Sequence, residues 1–276
     1  MIIGNREFNK KGHTYIFGIL NVTPDSFSDG GKFNNLDMAL KRTEEMIKEG
    51  ADVIDIGGES TRPGYTRILD EEEIMRVVPV IEAVKREFDI PVSLDTYKSK
   101  VAKAGIEAGA DLINDIWGLK ADSEMAKVIS EGKVSCCLMH NRDNTDYDDF
   151  LEDVKNDLKE SIDMALKAGI GKDRILIDPG VGFAKDVTQN LLVIKYIDEF
   201  NKLGYPVLLG HSKKSYIGLS CGYDKNERGV PTAATTVYGA MKGCLFVRVH
   251  DIKENVAAIR MIEEIINCDR KIDGEQ

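Results

Sequence analysis

The chain has 276 residues, of which 42% are hydrophobic and 30% charged, a composition that suits a globular protein with a sizeable core and excludes a membrane protein. Its formal net charge of −10 argues against a nucleic-acid-binding surface, which needs clustered basic residues, so small molecules are the expected partners. The segment 1–12 carries charged residues and no long apolar run, which predicts neither a secretory signal nor a membrane span and favours a cytoplasmic location.

Apolar runs of strand length alternate with amphipathic stretches of helix length along the chain. At the start, residues 1–8 and 15–20 flank the turn-like segment 9–12, which predicts a short N-terminal β-hairpin that closes the floor of the fold. The predicted strands are 15–20, 53–56, 91–94, 112–113, 134–139, 175–177, 206–209 and 246–249. The predicted helices are 36–49, 71–88, 99–108, 124–131, 147–168, 187–201, 233–242 and 256–267.

This alternation predicts an α/β fold of the (β/α)8 TIM barrel type, because eight strand-helix repeats fit a length near the roughly 250 residues usual for that barrel. A doubly wound open sheet is the alternative. Its dinucleotide-binding form is disfavoured, because no Gly-x-Gly-x-x-Gly follows the first strand. No break in composition indicates a second domain, so residues 1–276 are expected to form one domain.

Polar residues follow the C-terminal end of every predicted strand. In the clearest case the aliphatic run 175–177 stops at Asp178, because Pro179 and Gly180 prevent the strand from continuing. Residues just beyond the strand ends of a barrel meet at one face, so these groups are expected to form a working site, although any one of them alone could be a cap or a turn former. The other strand exits carry Asn21, Glu59, Asp95, Asn114, His140, His211 and His250.

Three of these groups suit the edge of a flat heterocycle. Asp95 and Asp178 accept hydrogen bonds from ring N–H and amino groups, whereas the Asn114 amide both donates and accepts. This combination favours an aminopyrimidinone ring. Behind Asp178, Gly182 allows the backbone to turn tightly or to approach a ligand, and Phe183 offers a flat apolar surface.

Cationic and donor groups follow the last two strands, where barrels often hold phosphate, so a phosphorylated substrate is expected. These groups are Ser212, Lys214, Arg248 and His250. After the first strand, Asn21 and the loop 22–31 supply oxygen atoms able to bind a largely hydrated Mg²⁺, although a polar surface turn explains the same loop equally well.

Four segments resemble the signature segments of the dihydropteroate synthase family, and they occur in the family's order. They are GILNVTPDSFSDGG at 18–31, DIGGESTRPG at 55–64, DPGVGF at 178–183 and RVH at 248–250. The resemblance implies a barrel enzyme of folate biosynthesis that joins 7,8-dihydropterin-6-ylmethyl diphosphate to 4-aminobenzoate and releases diphosphate. It also implies a homodimer, a Mg²⁺ cofactor and a target of sulfonamides.

The resemblance assigns roles to individual residues. The pterin ring is held by Asp95, Asn114, Asp178 and Lys214, with Met139 packed beneath it. The diphosphate is bound by Arg248 and His250, with Asn21 as the Mg²⁺ ligand beside it. The aminobenzoate pocket is formed by Thr61, Arg62, Pro63, Phe183 and Ser212. Phe27 and Asp29 lie on a first loop that closes over the site together with the second loop, 61–70.

These roles imply a dissociative reaction, in which Mg²⁺, Arg248 and His250 stabilise the leaving anion while Asp95 and Asp178 stabilise the pterin cation. The chain departs from the family at Lys213, where Arg is common. Two other functions remain possible: a pterin-binding methyltransferase barrel that acts with a corrinoid protein and does not need the diphosphate groups, and a catalytically silent relative. The complete polar ring argues against the silent relative.

Overall fold

Buried aliphatic runs form the strands and amphipathic stretches form the helices. The structure is a computed structural model that describes residues 1–9, 12–23, 32–59 and 67–268. Its strands are β1 Ile2–Ile3, β2 Arg6–Glu7, β3 Tyr15–Asn21, β4 Val53–Gly57, β5 Val92–Asp95, β6 Leu112–Asp115, β7 Ser135–Met139, β8 Ile175–Asp178, β9 Leu208–Leu209 and β10 Phe246–Val249. Its helices are α1 Lys32–Glu49, α2 Asp70–Glu87, α3 Ser99–Glu107, α4 Met125–Gly132, α5 Phe150–Lys167, α6 Val187–Lys195, α7 Asp198–Asn201, α8 Ser215–Cys221, α9 Gly229–Met241 and α10 Ile252–Ile266.

Strands β3 to β10 form a parallel barrel. Each strand pairs with its neighbours in sequence, and the last strand, β10, pairs with the first, β3. Between β8 and β9 the contact is a parallel bridge from Ile177 to Val207, and the Ile177 N–H donates to Pro206 O at 3.0 Å. This contact brings the two ends of the sheet together, so the barrel prediction is confirmed and the open doubly wound sheet is wrong.

An apolar layer fills the barrel interior near the N-terminal ends of the strands. It consists of Phe17, Val53, Leu112, Cys137, Leu176, Leu208 and Phe246, all fully buried. Ile3 and Phe8 from the N-terminal segment pack against this layer and close the floor of the barrel, as predicted. Burial of each large side chain here contributes roughly 1.5–3 kcal/mol to stability.

The predicted hairpin exists, but the prediction of its strands was wrong. Strands β1 and β2 pair antiparallel with each other, with Ile2 opposite Glu7 and Ile3 opposite Arg6. Residues 15–20 belong to the barrel instead. The two-residue turn at Gly4-Asn5 explains the difference, because such a pair favours a tight hairpin within the first eight residues.

The helices lie close to the predicted ranges with two clear exceptions, of which the first is α8, Ser215–Cys221, a helix that was not predicted. The predicted helix 187–201 is interrupted at Tyr196, which caps α6 with φ −108° and ψ 29° before α7 begins at Asp198. At the start of α6 the Asp186 carboxylate accepts from Gln189 N, and the Gln189 side chain accepts from Asp186 N. No helix in the described part of the chain is long and apolar enough to cross a membrane.

Candidate active site

Several predicted site residues lie two positions after a residue of the apolar layer on the same strand. Successive strand side chains point to opposite faces, so residues two positions apart face the same way. Because Leu112, Leu176 and Phe246 face the interior, Asn114, Asp178 and Arg248 also do. The strand ends also lie in register. The pairs are Asn21–Gly57, Gly57–Asp95, Asp95–Asn114 and Met139–Asp178.

Arg248 joins two carboxylates across the barrel. Its Nη2 donates to Asp95 Oδ2 at 2.6 Å and its Nε donates to Asp55 Oδ2 at 2.5 Å. Ser93 Oγ donates to the other oxygen of Asp55 at 2.5 Å. The second oxygen of Asp95, Oδ1, is buried and accepts from no described group. This oxygen therefore faces the site with its full capacity to accept a hydrogen bond.

Burial controls the charges of this group. It raises the pKa of Asp95 to about 7, against the opposing effect of Arg248, and the nearby Asp55 carboxylate adds to the rise. Burial alone lowers the pKa of Arg248, but Asp55 and Asp95 outweigh it and raise that pKa above its usual value. Arg248 is therefore charged, whereas Asp95 gains or loses its proton near neutral pH.

Asp178 and Asn114 also keep hydrogen-bonding capacity. Asp178 Oδ1 accepts from Gly180 N at 2.7 Å, and no described group donates to Oδ2. Burial raises the pKa of Asp178, while the charge of Lys214 opposes the rise. The Asn114 side chain is 5% exposed and makes no hydrogen bond to another described residue. Asp95, Asn114 and Asp178 are thus three buried polar groups that can bind a ligand with several donors and acceptors.

Lys214 follows β9, the neighbour of β8, and lies against the loop after β8. Its Nζ donates to Val181 O and lies 4.6 Å from the centroid of the Phe183 ring. Burial lowers the pKa of Lys214 to about 8, although the Asp178 carboxylate opposes the shift. Gly182 is needed in this loop, because its φ is +86° and a Cβ there would approach Lys214 Cδ to 2.8 Å.

Ser212 and His250 meet at the exits of β9 and β10. Ser212 Oγ lies 2.9 Å from His250 Nδ1 and accepts from His250 N at 3.2 Å. Beside them, Lys213 Nζ donates to Asp251 Oδ1 at 2.7 Å. Lys213, which stands where the family commonly has Arg, therefore binds the segment that follows β10. Ser212 orients His250, the predicted diphosphate ligand.

An apolar patch adjoins the polar groups. Met139, Tyr97 and Ile116 are buried together, and Trp117 and Phe183 pack against them at the edge of the barrel mouth. Met139, at the end of β7, is thus part of an apolar patch at the mouth, and its contact with the pterin stays a prediction. Five predicted site residues lie outside the described residues. They are Phe27, Asp29, Thr61, Arg62 and Pro63.

Asn21 is the one predicted metal ligand. It ends β3, is half-buried, and its side-chain oxygen lies 3.7 Å from the position of a Cβ built on Gly57. Within the described ranges, no group of three or more His, Cys, Asp or Glu residues is arranged to hold a metal. A single amide oxygen at the mouth fits Mg²⁺, which keeps several waters and takes further oxygens from a substrate phosphate.

Some residues of the site were not predicted from the sequence. Asp55, the second partner of Arg248, received no role, although a carboxylate inside an aliphatic strand is a signal of a functional or paired group. Lys98 was also missed: its Nζ contacts Glu59 at 2.6 Å and Glu73 at 2.8 Å, and all three are buried. Glu73, which lies in the first turn of α2, therefore pairs with a buried lysine. Lys185, described below, is the third such residue.

Comparison with known proteins agrees with this geometry. The family model for pterin binding enzymes matches residues 17–250. The chain belongs to this family of pterin-binding barrels.

The chain is 58% identical to the dihydropteroate synthase of Clostridium beijerinckii, over 96% of this chain and 99% of that one. A dihydropteroate synthase of Clostridium difficile, solved in the presence of pteroic acid, superposes with a TM-score of 0.89 at 51% identity, covering 92% of this chain and 97% of its own. The Xanthomonas albilineans dihydropteroate synthase with 4-aminobenzoic acid gives a TM-score of 0.88 at 39% identity, covering 92% and 93%. Within the family, the chain groups with the dihydropteroate synthases, enzymes of folate biosynthesis.

Proposed function

We propose that the chain condenses 7,8-dihydropterin-6-ylmethyl diphosphate with 4-aminobenzoate, giving 7,8-dihydropteroate and diphosphate. The observation that carries the proposal is the set of buried acceptors at one mouth, above all Asp95 Oδ1, which accepts from no described group. A buried polar atom without a partner costs about 1–3 kcal/mol, so a ligand N–H that reaches it gains that energy back. The relatives solved with pteroic acid and with 4-aminobenzoic acid support the same substrates.

The pterin ring would lie between the carboxylates and Lys214. Asp95 Oδ1 and Asp178 Oδ2 would accept from ring N–H and amino groups, and the Asn114 amide would complete the edge. Lys214 would donate from the other side. Met139 would pack on the face of the ring, because it is buried in the apolar patch beside these groups.

The diphosphate would bind near the exits of β3 and β10. His250, oriented by Ser212, would donate to the anion, and Arg248 would add positive charge nearby. Asn21 would hold Mg²⁺ beside the same group. When bound, Mg²⁺ supplies positive charge that stabilises the departing diphosphate.

The aminobenzoate would stack on Phe183, near Lys214 and Ser212. The proposal extends this pocket to Thr61, Arg62 and Pro63, which lie outside the described residues. Phe183 offers the flat apolar surface for the ring, and Lys214 lies 4.6 Å from the same surface. The two substrates would thus lie side by side, with Lys214 near both.

The reaction would proceed by departure of the leaving group before attack. The C–O bond to diphosphate breaks with both electrons going to oxygen, which leaves positive charge on the pterin methylene. The aniline nitrogen then forms the C–N bond and gives up one proton to the released diphosphate. Asp95 and Asp178 stabilise the cation, because both carboxylates lie in the buried wall that would contact the pterin ring.

A direct assay tests this function. Purified protein is incubated with the pterin diphosphate, labelled 4-aminobenzoate and Mg²⁺, and dihydropteroate is measured by chromatography. Formation of labelled product that depends on both substrates is the expected result. A methyltransferase or a silent pterin-binding relative would leave both substrates intact, and that result would refute the proposal. A sulfonamide is expected to compete with 4-aminobenzoate.

We also infer that the protein forms homodimers through α9 and α10. Both helices expose large apolar residues: Val230 is 81% and Met241 is 59% exposed on α9, and Met261 is 59% exposed on α10. Such exposed groups favour an interface. Sedimentation analysis should show a dimer that Met241→Lys weakens, and a monomer in the unmodified protein would refute the inference. A cytoplasmic location is proposed from the sequence, and cell fractionation tests it.

A further inference from the structure

The loop after β8 folds around a lysine that the proposed chemistry does not use. Gly180, Gly182 and Ala184 have φ values of +72°, +86° and +46°, so alternate residues adopt the left-handed conformation. Two carbonyl groups of this loop accept from one amine: Lys185 Nζ lies 3.1 Å from Gly180 O and 3.0 Å from Phe183 O. Through these two hydrogen bonds Lys185 fixes the main chain of the loop.

The third partner of this amine is His140, at the exit of β7. Lys185 Nζ lies 2.8 Å from His140 Nδ1. The Asp157 carboxylate at Nε2 only accepts, so the proton of the neutral ring sits on Nε2, and the bare Nδ1 accepts from Lys185 Nζ. His140 Nε2 donates to Asp157 Oδ2 at 3.0 Å, and Arg142 Nε donates to the same oxygen at 2.5 Å. The histidine is therefore held in one tautomer and orientation.

The electrostatics agree with this assignment. The His140 side chain is fully buried, and burial lowers its pKa to about 4, so the ring is neutral. Burial also lowers the pKa of Lys185 to about 7, although the Asp178 carboxylate opposes the shift. The loop that Lys185 contacts also positions two groups of the site. Gly180 N donates to Asp178 Oδ1, and the Phe183 ring packs against Lys214 Nζ.

We propose that Lys185 is a positioning residue for the synthase reaction: held by His140, it orients the loop that carries Phe183 and so sets the place of 4-aminobenzoate. The proposal rests on the proposed function, in which Phe183 contacts that substrate. Two lysines hold the loop from opposite sides, Lys214 through Val181 O and Lys185 through Gly180 O and Phe183 O. Lys214 belongs to the site, whereas Lys185 acts only through the backbone.

The test compares variants that remove or keep this contact. Lys185→Met keeps the length of the side chain and removes its donors. His140→Leu removes the acceptor, whereas the amide oxygen of His140→Asn can still accept near the place of Nδ1. Lys85→Met is the control variant, because it removes another half-buried lysine amine, which lies 2.7 Å from Asp111 Oδ2, before β6 at the far end of the barrel.

We expect Lys185→Met and His140→Leu to raise the KM for 4-aminobenzoate on the order of tenfold, because Phe183 is then displaced from the place where it contacts this substrate. The affinity for the pterin diphosphate and the kcat should change less than about threefold. His140→Asn and Lys85→Met should keep the KM of the unmodified enzyme. Thermal melting of each variant separates loss of folding from loss of position.

A second readout does not depend on turnover. The ¹⁵N shifts of His140 should show a neutral ring protonated on Nε2 in the unmodified protein, and Lys185→Met should change that signature. An unchanged KM in both Lys185→Met and His140→Leu would overturn the proposal, as would equal damage by His140→Asn and His140→Leu. If the unmodified enzyme makes no dihydropteroate, the proposed function itself is wrong, and the histidine shifts still decide whether Lys185 holds His140.

Discussion

Replacing Asp178 by Asn tests the pterin site with the smallest change of shape. In the structure, Asp178 Oδ1 accepts from Gly180 N at 2.7 Å and Oδ2 accepts from no described group. The Asn side chain can keep the first bond with its own oxygen. Its NH2 group then takes the place of Oδ2 and points a donor at the donor of the ligand, so the pterin loses one charged acceptor.

The size of the effect follows from that exchange. A hydrogen bond to a charged group contributes roughly 1.5–3 kcal/mol, and its loss weakens pterin binding roughly 10- to 160-fold. Stability should not fall. Burial raises the pKa of Asp178, which means that the folded protein disfavours its charge, and the neutral Asn removes that penalty. Affinity and melting temperature should therefore change independently.

Isothermal titration with the pterin diphosphate measures the affinity, and thermal melting measures the stability. Asp115→Asn is the matched control, because Asp115 is also buried at a strand end but accepts from Trp117 N and Leu119 N, each at 2.8 Å. That variant loses one main-chain acceptor, which costs about 1–3 kcal/mol of stability and a few degrees of melting temperature. Its pterin affinity should stay within about threefold. Unchanged pterin affinity in Asp178→Asn would show that this carboxylate does not recognise the ring.

Three further predictions concern charge and metal. The kcat/KM for the pterin diphosphate should fall below about pH 7, because Asp95 gains a proton and its oxygen Oδ1 can no longer accept. It should also fall above about pH 8, because Lys214 loses its charge. Asp95→Asn should remove the acidic limb of this pH–rate profile. Asn21→Ala should raise the Mg²⁺ concentration for half-maximal activity about tenfold, which corresponds to a loss of roughly 1.4 kcal/mol of binding free energy. Binding of a pterin without diphosphate should stay unchanged. Equal Mg²⁺ titrations of the variant and the unmodified protein would contradict the assignment of Asn21. Arg248→Met should lower stability by about 3–5 kcal/mol by leaving Asp55 and Asp95 unpaired. This loss should shrink as the pH falls through about 7 in melting experiments, because a carboxyl with a raised folded-state pKa binds its proton more tightly in the folded chain.

The strands and the ring of site residues could be predicted because both depend on local pattern. Buried aliphatic runs mark the strands, and the polar residue that ends each run faces the interior whenever its predecessor two positions earlier does. Asp95, Asn114 and Asp178 follow from this rule. The hairpin was placed wrongly because the candidate turn 9–12 competed with the shorter turn at Gly4-Asn5, and packing of Ile3 and Phe8 under the barrel adds to the preference for the second.

Pairings across the barrel could not be predicted in the same way. Arg248 and Asp55 are 193 residues apart, and their contact depends on how far each strand is displaced along the barrel wall. The same holds for Lys185 and His140, which are 45 residues apart and meet only because the exits of β7 and β8 are adjacent. The spacing of these residues in the sequence does not predict either contact.

The arrangement around Arg248 has a consequence for the proposed chemistry. Two carboxylates, Asp55 and Asp95, share one guanidinium, so the wall carries excess negative charge whenever both are ionised. Burial makes this negative charge costly in the resting protein and raises the pKa of Asp95 to about 7, and the Asp55 carboxylate adds to the rise. A cation that forms beside this wall removes the penalty. The excess negative charge of this wall would therefore favour departure of the diphosphate, because it stabilises the pterin cation more than the neutral substrate.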